Sequence, residues 1–263
     1  MNSSTVAIIL TKNISLKLYN SYSKIFKNCY PVLFISENKT ELDKPNIMYY
    51  DYLKLLNIHG NYQNLDKSTE FSCYDAFFFY AINNKLKYNH YWLIDADTYI
   101  HPVHGVKFLQ SYDSENVDFI TFAEYYSKKY INEEIQVLDN KNYWQIYVDS
   151  FKPVNIRSSC NVICRISKKF ISHIDGYRKN NNKFLPNNIL FPSIAKAHNL
   201  KQIVYTKPLK NIFINSNKKF NKPKNGFDKV NLYKTLKKLH DLANNTGNIV
   251  IYPFPEWFKY STF

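Results

Sequence analysis

At 263 residues, 45% hydrophobic and 17% aromatic, the chain has ample apolar material for a core, which excludes a disordered tail and favours one domain. Lys and Arg number 35 against 21 acidic residues, a formal net charge of +14 that attracts nucleotides, polyphosphates or nucleic acid. The arginines are Arg157, Arg165 and Arg178 alone, in a chain rich in Lys, Asn, Ile and Tyr, so A/T-rich codons account for the charge as well as selection does.

Thr5 to Leu10 reads as a buried strand running into a polar loop, Thr11-Lys12-Asn13. Leu16, Leu18, Tyr19, Tyr22, Ile25 and Phe26 follow at helical spacing, and Pro31 leads into a second strand, Val32 to Ser36. A third strand, Asn46 to Tyr50, ends at Asp51. Helices are predicted over Tyr52 to Ile58 and over Ser72 to Lys85, and Tyr91 to Ile94 is the next strand. This alternation predicts an α/β fold whose sheet is mostly parallel, with helices on both faces.

Beyond Pro102 the rhythm loosens. Val117 to Phe122 reads as a strand, Glu124 to Ser150 as a surface excursion, and Val162 to Ile166 as another strand. Ser167 is placed to cap a helix, Lys168 to Asp175, that Gly176 would end. Leu190 to His198 reads as a helix and Ile203 to Tyr205 as a strand. Residues 215 to 228 form a basic, turn-rich loop, and Val230 to Ala243 an amphipathic helix before an aromatic tail. The cysteines, Cys29, Cys73, Cys160 and Cys164, form no CxxC pair and read as reduced and structural. No apolar run reaches the roughly 18 residues needed to span a bilayer, and the first strand leaves no room for a leader, so a soluble, cytoplasmic chain without a transmembrane segment is expected.

The most informative stretch is Tyr91 to Ile100, YWLIDADTYI, where an apolar strand ends in Asp95 and Asp97 with one small residue between them. Carboxylates at the carboxyl edge of a parallel sheet must be solvated, paired or metal-bound, and ligands of open α/β sheets bind along that edge. An Asp-x-Asp pair supplies hard oxygens able to hold Mg²⁺ or Mn²⁺ against a diphosphate. The plainer alternative is that both are turn or cap residues.

Trp92 to Tyr99 resembles the DxD strand of the GT-A glycosyltransferases, most nearly the branch with fringe-like and core-1 galactosyltransferases. The resemblance spans roughly residues 5 to 205, and its specific part is the DxD stretch. It implies a Rossmann-like, mixed and mostly parallel sheet flanked by helices in a single domain. Residues 1–102 would form the nucleotide-sugar-binding half, and 103–263 the acceptor-binding half with a C-terminal helix and tail. It implies Asp97 on the divalent ion, Mn²⁺ or Mg²⁺, and Asp95 helping through the ribose or the ion's water shell, so that both belong to the metal site. Thr11, Lys12, Asn13, Ser36 and Glu37 would border the nucleotide, and Asp51 would hold base or ribose.

The implied activity moves a sugar from a nucleoside-diphosphate sugar, UDP-linked by preference, to a hydroxyl of a glycan, protein or lipid. Departures stand beside it. Where inverting members carry an acid that deprotonates the acceptor, this chain has Asn187 and Asn188, and an amide is no general base at neutral pH. Glu124, Asp149 or Asp175 would have to serve; otherwise the enzyme retains configuration, or transfer has been lost. For the late histidine of the metal shell, His198 and His240 compete with Asn215 and Asn217.

Two rivals carry less. A haloacid-dehalogenase-type phosphatase places its Asp-x-Asp on the first strand, whereas here it lies near residue 95. A basic, aromatic nucleic-acid binder explains the charge but not the carboxylates, and most aromatics fall at core spacing.

Overall fold

The computed structural model describes residues 4–50, 77, 81, 87–96, 98–125, 158–180, 187–205, 212–214 and 250–252. The first strand, β1 (Thr5–Asn13), is followed by α1 (Leu16–Phe26), β2 (Val32–Asn38) and β3 (Ile47–Tyr49). Next come β4 (His90–Asp95), a two-residue β5 (Tyr99–Ile100) and α2 (His104–Gln110). The later elements are β6 (Phe119–Tyr125), β7 (Ser158–Ser167), α3 (Lys168–Asn180), α4 (Asn187–Ala197) and β8 (Gln202–Tyr205). Short strands β9 (Ile212–Ile214) and β10 (Val250–Tyr252) follow.

Seven strands form one sheet in the order β3-β2-β1-β4-β7-β6-β8, and β5-β10-β9 form a smaller one. In the large sheet β1, β2, β3 and β4 are mutually parallel, as are β6 and β8; β7 alone runs against its neighbours, between β4 and β6. The expected α/β architecture, mixed and mostly parallel with helices on both faces, is the one observed. β4 is hydrogen-bonded to β7, so strands from residues before and after 102 share one sheet.

Strand alternation sorts the core into two layers. Val6, Ile8, Leu10, Ile35, Tyr91, Leu93, Cys164 and Ile166 face one way and pack with Ile174 of α3 and Phe191 and Ile194 of α4. Ala7, Ile9, Phe34, Trp92, Ile94 and Ile163 face the other way, against Leu18, Tyr22 and Phe26 of α1 and Val106 and Leu109 of α2. Each large side chain so buried contributes about 1.5–3 kcal/mol. Phe77 and Ala81, the described residues of the helix expected over 72–85, are helical and buried in the first layer.

Helix ends follow local chemistry. Ser15 caps α1 by accepting from the Leu18 amide at 3.2 Å, and Leu18, Tyr22 and Phe26 then recur every fourth residue on the buried face. Ser167 Oγ accepts from the Phe170 amide at 3.0 Å, which confirms the cap predicted for α3. That helix does not stop at Gly176, however, but continues to Asn180. An interior glycine costs only about 1 kcal/mol relative to alanine, and Ile174 and Tyr177, buried on either side, hold the helix through it. At the end of α4, Asn199 has φ 49°, the Leu200 amide donates to Ala195 O at 2.9 Å and the Asn199 amide to Lys196 O at 3.3 Å. This is the doubly bonded left-handed cap, with asparagine where glycine is commonest.

Other boundaries differ for identifiable reasons. Thr11–Asn13 and Ser36–Glu37 are strand rather than loop, because β1 and β2 stay paired to Asn13↔Asn38, where Asn38 Nδ2 donates to Asn13 Oδ1 at 2.5 Å. Glu124 still belongs to β6, and β7 starts at Ser158; register shifts around Phe122 break the apolar alternation that would have shown this. α4 begins at Asn187, before the expected Leu190, and carries Pro192 in its interior. The seven-residue α2 is too short to show a period. The helix expected over 52–58, the 215–228 loop, the 230–243 helix and the tail lie outside the described residues. Among the described residues no helix is long and apolar enough to cross a membrane.

A buried guanidinium fixes the edge of the sheet where β4 begins. Arg165, fully buried, donates from Nη1 to Tyr112 O and from Nη2 to Glu115 O at 2.6 Å. Beside it Tyr30 OH donates to Asp113, 2.9 and 3.0 Å from the two carboxylate oxygens. Burial, ahead of the pull of Tyr30 and Arg165, holds the Asp113 pKa above the usual carboxylate range.

Candidate functional site

Parallel pairing brings the carboxyl ends of β1, β2, β3 and β4 to one edge. Asp95 stands opposite Leu10, Ser36 opposite both Thr11 and Tyr49, and the Ala96 amide donates to Leu10 O at 2.8 Å. β4 is apolar and buried from Tyr91 to Ile94, so the chain turns only where Asp95 reaches the edge, half-buried. The Thr98 amide donates to Asp95 O at 2.9 Å, closing the turn. Tyr22 of α1 holds it from below: its hydroxyl is 2.5 Å from Thr98 O and 3.3 Å from Ala96 O. One phenol thus grips both carbonyls flanking position 97.

The remaining sequence candidates fall into three groups. Thr11 and Ser36 are buried, and their hydroxyls are spent on the strand ends, Thr11 on Asn13 O at 2.7 Å and Ser36 on Asn38 O at 3.1 Å. Lys12 and Asn13 are exposed at the end of β1. Glu37, which the register sets beside Lys12, has a buried carboxylate oxygen, Oε2, with no hydrogen-bond partner. Leu10, Leu33, Ile35 and Leu93 all face the first core layer, so period-two alternation puts Lys12, Glu37 and Asp95 on that same face.

Glu124, paired across from Ser159 in β6, comes to the same edge as Asp95, two strands away and roughly 14 Å distant between Cα positions. Asp175 does not. α3 starts beside His90 at the opposite edge, where the Lys168 amide donates to Asn89 O at 2.8 Å, and Asp175 lies about 10 Å along the helix, level with the middle of the sheet. Asp51, Asp97 and Asp149 lie outside the described residues, as do His240, Asn215 and Asn217.

Asn187 opens α4 and is buried. Because α4 delivers the chain through Leu200 to the start of β8, its first residue lies toward the Asp95 edge and its last toward the other. His198 accordingly sits far from Asp95, with its ring 4.3 Å from that of His173. Among the described residues no three His, Cys, Asp or Glu side chains gather as a metal site. Hard carboxylate oxygens at this turn nevertheless match the donor preference of Mg²⁺ and Mn²⁺.

Tyr22 is the residue that sequence patterning missed as part of this site. Its spacing marks it as core, which it is, and nothing local announces hydrogen bonds to carbonyls 74 and 76 residues away.

No family model and no curated protein matches the sequence. Among solved structures, the chain is similar to a galactosyltransferase, LgtC, in complex with donor and acceptor sugar analogs. The identity is 11% and the TM-score 0.46, over 94% of this chain and 86% of that one. It is also similar to mouse xyloside xylosyltransferase 1, at 11% identity and a TM-score of 0.44 over 95% and 98% of the chains. A third is core-mannan synthase A from Aspergillus fumigatus in its Mn/GDP form, at 12% identity and a TM-score of 0.38 over 76% and 72%. At such identities these likenesses assign this chain no donor, acceptor or metal.

Proposed function

We propose that the protein is a metal-dependent glycosyltransferase that moves a sugar from a nucleoside-diphosphate sugar, UDP-linked by preference, to a hydroxyl acceptor on a glycan, protein or lipid. The observation that carries this reading is the turn after β4: an apolar strand delivers Asp95 to the carboxyl edge of the parallel strands, with Asp97 two residues on and Tyr22 clamping the carbonyls between which Asp97 sits. A purely structural turn has no need of an Asp-x-Asp sequence at the carboxyl edge, where ligands of open α/β sheets bind.

Asp95 and Asp97 would hold Mn²⁺ or Mg²⁺, which when bound supplies positive charge to the departing diphosphate. Lys12, exposed on the strand next to Asp95, adds a second cation to that edge, and Thr11 and Ser36 keep the two strand ends in register. The unpartnered Glu37 oxygen suits a donor on the nucleoside, a ribose hydroxyl or a ring N–H; Asn13 would border the nucleotide and Asp51 would hold base or ribose. For the acceptor proton Glu124, whose backbone in β6 reaches the Asp95 edge, is preferred over Asp175, and Asp149 remains a candidate. In this scheme residues 1–102 bind the donor, and the later residues complete the sheet and receive the acceptor.

The test is a thermal-shift screen of nucleotide sugars with and without Mn²⁺, since a ligand bound only by the folded state raises the melting temperature. A Mn²⁺-dependent shift with one nucleoside diphosphate, lost in Asp97→Ala while the variant melts cooperatively, is expected. Shifts indifferent to Mn²⁺, or unchanged in Asp97→Ala, would refute the assignment.

A further inference from the structure

Among the described residues, the sheet edge opposite the Asp95 turn gathers lysines around the carboxylate that precedes β6. Asp118, just before β6, accepts from Ser167 Oγ at 2.9 Å and from the Lys201 amide at 3.1 Å, and Lys169 Nζ stands 3.5 Å from its Oδ2. Lys168 is bonded through its amide to Asn89 O, which brings Lys87 to the same border. Lys196 and His198 close α4, where the His198 ring meets that of His173. All five of these lysines and His198 are exposed. Of the other acids nearby, Asp113 accepts from Tyr30, Glu115 lies in the loop whose carbonyls hold Arg165, and Asp175 lies nearly two turns further along α3.

This arrangement works against the fold's own electrostatics. Lys168 and Lys169 occupy the first turn of α3, the positive end of the helix dipole; the turn itself contains no acid, and among the described residues Asp118, paired with Lys169, is the carboxylate beside it. Burial first, and then His198 and Lys169, hold the His173 pKa below its ordinary value, the Asp118 carboxylate opposing them. The one central carboxylate is already engaged by a hydroxyl and an amide. An external negative surface would relieve what internal contacts leave uncompensated.

We infer that this edge docks the protein electrostatically on a bilayer leaflet carrying anionic phospholipid. The cations form a compact patch on one sheet border and two helix ends, rather than a stripe tracking a nucleic-acid backbone. Among the described residues no exposed Phe, Tyr or Trp accompanies them to stack on bases. The exposed large apolar side chains among the described residues, Leu16 and Val103, begin helices that leave the Asp95 side of the sheet, so contact at this edge is with headgroups and without insertion. Docked in this way, the protein would present the Asp95 edge to the aqueous phase. The inference does not depend on the proposed transfer reaction.

The experiment is cosedimentation of the full chain with vesicles of phosphatidylcholine alone and of phosphatidylcholine containing phosphatidylserine as the minor lipid. Binding to the second only, weakened by salt, is expected, and each lysine removed from the patch should weaken it about fivefold. Lys168→Glu, Lys169→Glu and Lys201→Glu together should abolish it. Charge reversal at the Asp95 side of the sheet, Lys17→Glu with Lys39→Glu, should leave most binding in place, with both variants shown by circular dichroism to melt cooperatively. No phosphatidylserine-dependent binding, equal loss on charge reversal at the two sides of the sheet, or retention of duplex DNA but not vesicles would each overturn the inference.

Discussion

Replacing Tyr22 by Phe removes one oxygen atom and leaves the ring in its place among Leu18 and Phe26. The hydroxyl it removes lies 2.5 Å from Thr98 O and 3.3 Å from Ala96 O, in a position 2% exposed, so water cannot readily replace it. Leaving a buried carbonyl unsatisfied costs about 1–3 kcal/mol, and for a chain of this size each kcal/mol lowers the melting temperature by about 2–4 °C. A fall of about 5 °C is expected by calorimetry. The turn bearing Asp95 and Asp97 also loses its tether to α1, so the concentration of Mn²⁺ giving half-maximal nucleotide binding should rise severalfold. Tyr30→Phe is the control, because its hydroxyl serves Asp113 at the other edge; it should lower stability and leave the Mn²⁺ dependence alone. Identical Mn²⁺ curves for wild type and Tyr22→Phe would refute the clamp, as would a Tyr22→Phe protein that melts like wild type.

Arg165→Met should cost about 3 kcal/mol or more in denaturant unfolding, because the carbonyls of Tyr112 and Glu115 lose their buried cation together. Asn199→Gly should raise the melting temperature by a degree or more and Asn199→Val should lower it, since φ 49° suits glycine and strains a β-branched residue. On the acid side, burial depresses the pKa values of His90 and His173 in the folded protein below their ordinary 6.5. The unfolded chain therefore binds the more protons below that value, and stability should be lost as pH falls from about 6.5 through the folded pKa values. Urea titrations at several pH values should show that slope, and His90→Gln should flatten it.

Runs of β-branched and apolar residues made the parallel core legible: Thr5 to Leu10, Val32 to Ile35 and Tyr91 to Ile94 are strands because each side of the sheet is covered and both faces must be apolar. The later half was harder to read for the same reason. β6 and β7 pair with register shifts near Phe122, and β7 runs antiparallel between strands brought together from far apart in the chain, so neither period nor order foretold them. Helix ends were readable where a side chain makes the cap, as at Ser167, and misread at Gly176, where packing of Ile174 and Tyr177 overrides propensity. At the site, Asp95 announced itself because a carboxylate ending an apolar strand is conspicuous. Glu37 was found by its place near the end of β2, but its buried, unpartnered oxygen depends on neighbours that only the folded chain supplies. His198, a candidate ligand on sequence order, is carried to the far edge by the direction of α4.

Electron paramagnetic resonance of Mn²⁺ titrated with the protein in the presence of uridine diphosphate tests the carboxylate turn most directly. The signal of the hydrated ion is expected to disappear with one equivalent of wild-type protein and to persist with Asp97→Ala, with Asp95→Asn intermediate. A hydrated-ion signal that the wild-type protein leaves untouched, or that Asp97→Ala quenches equally, would contradict it.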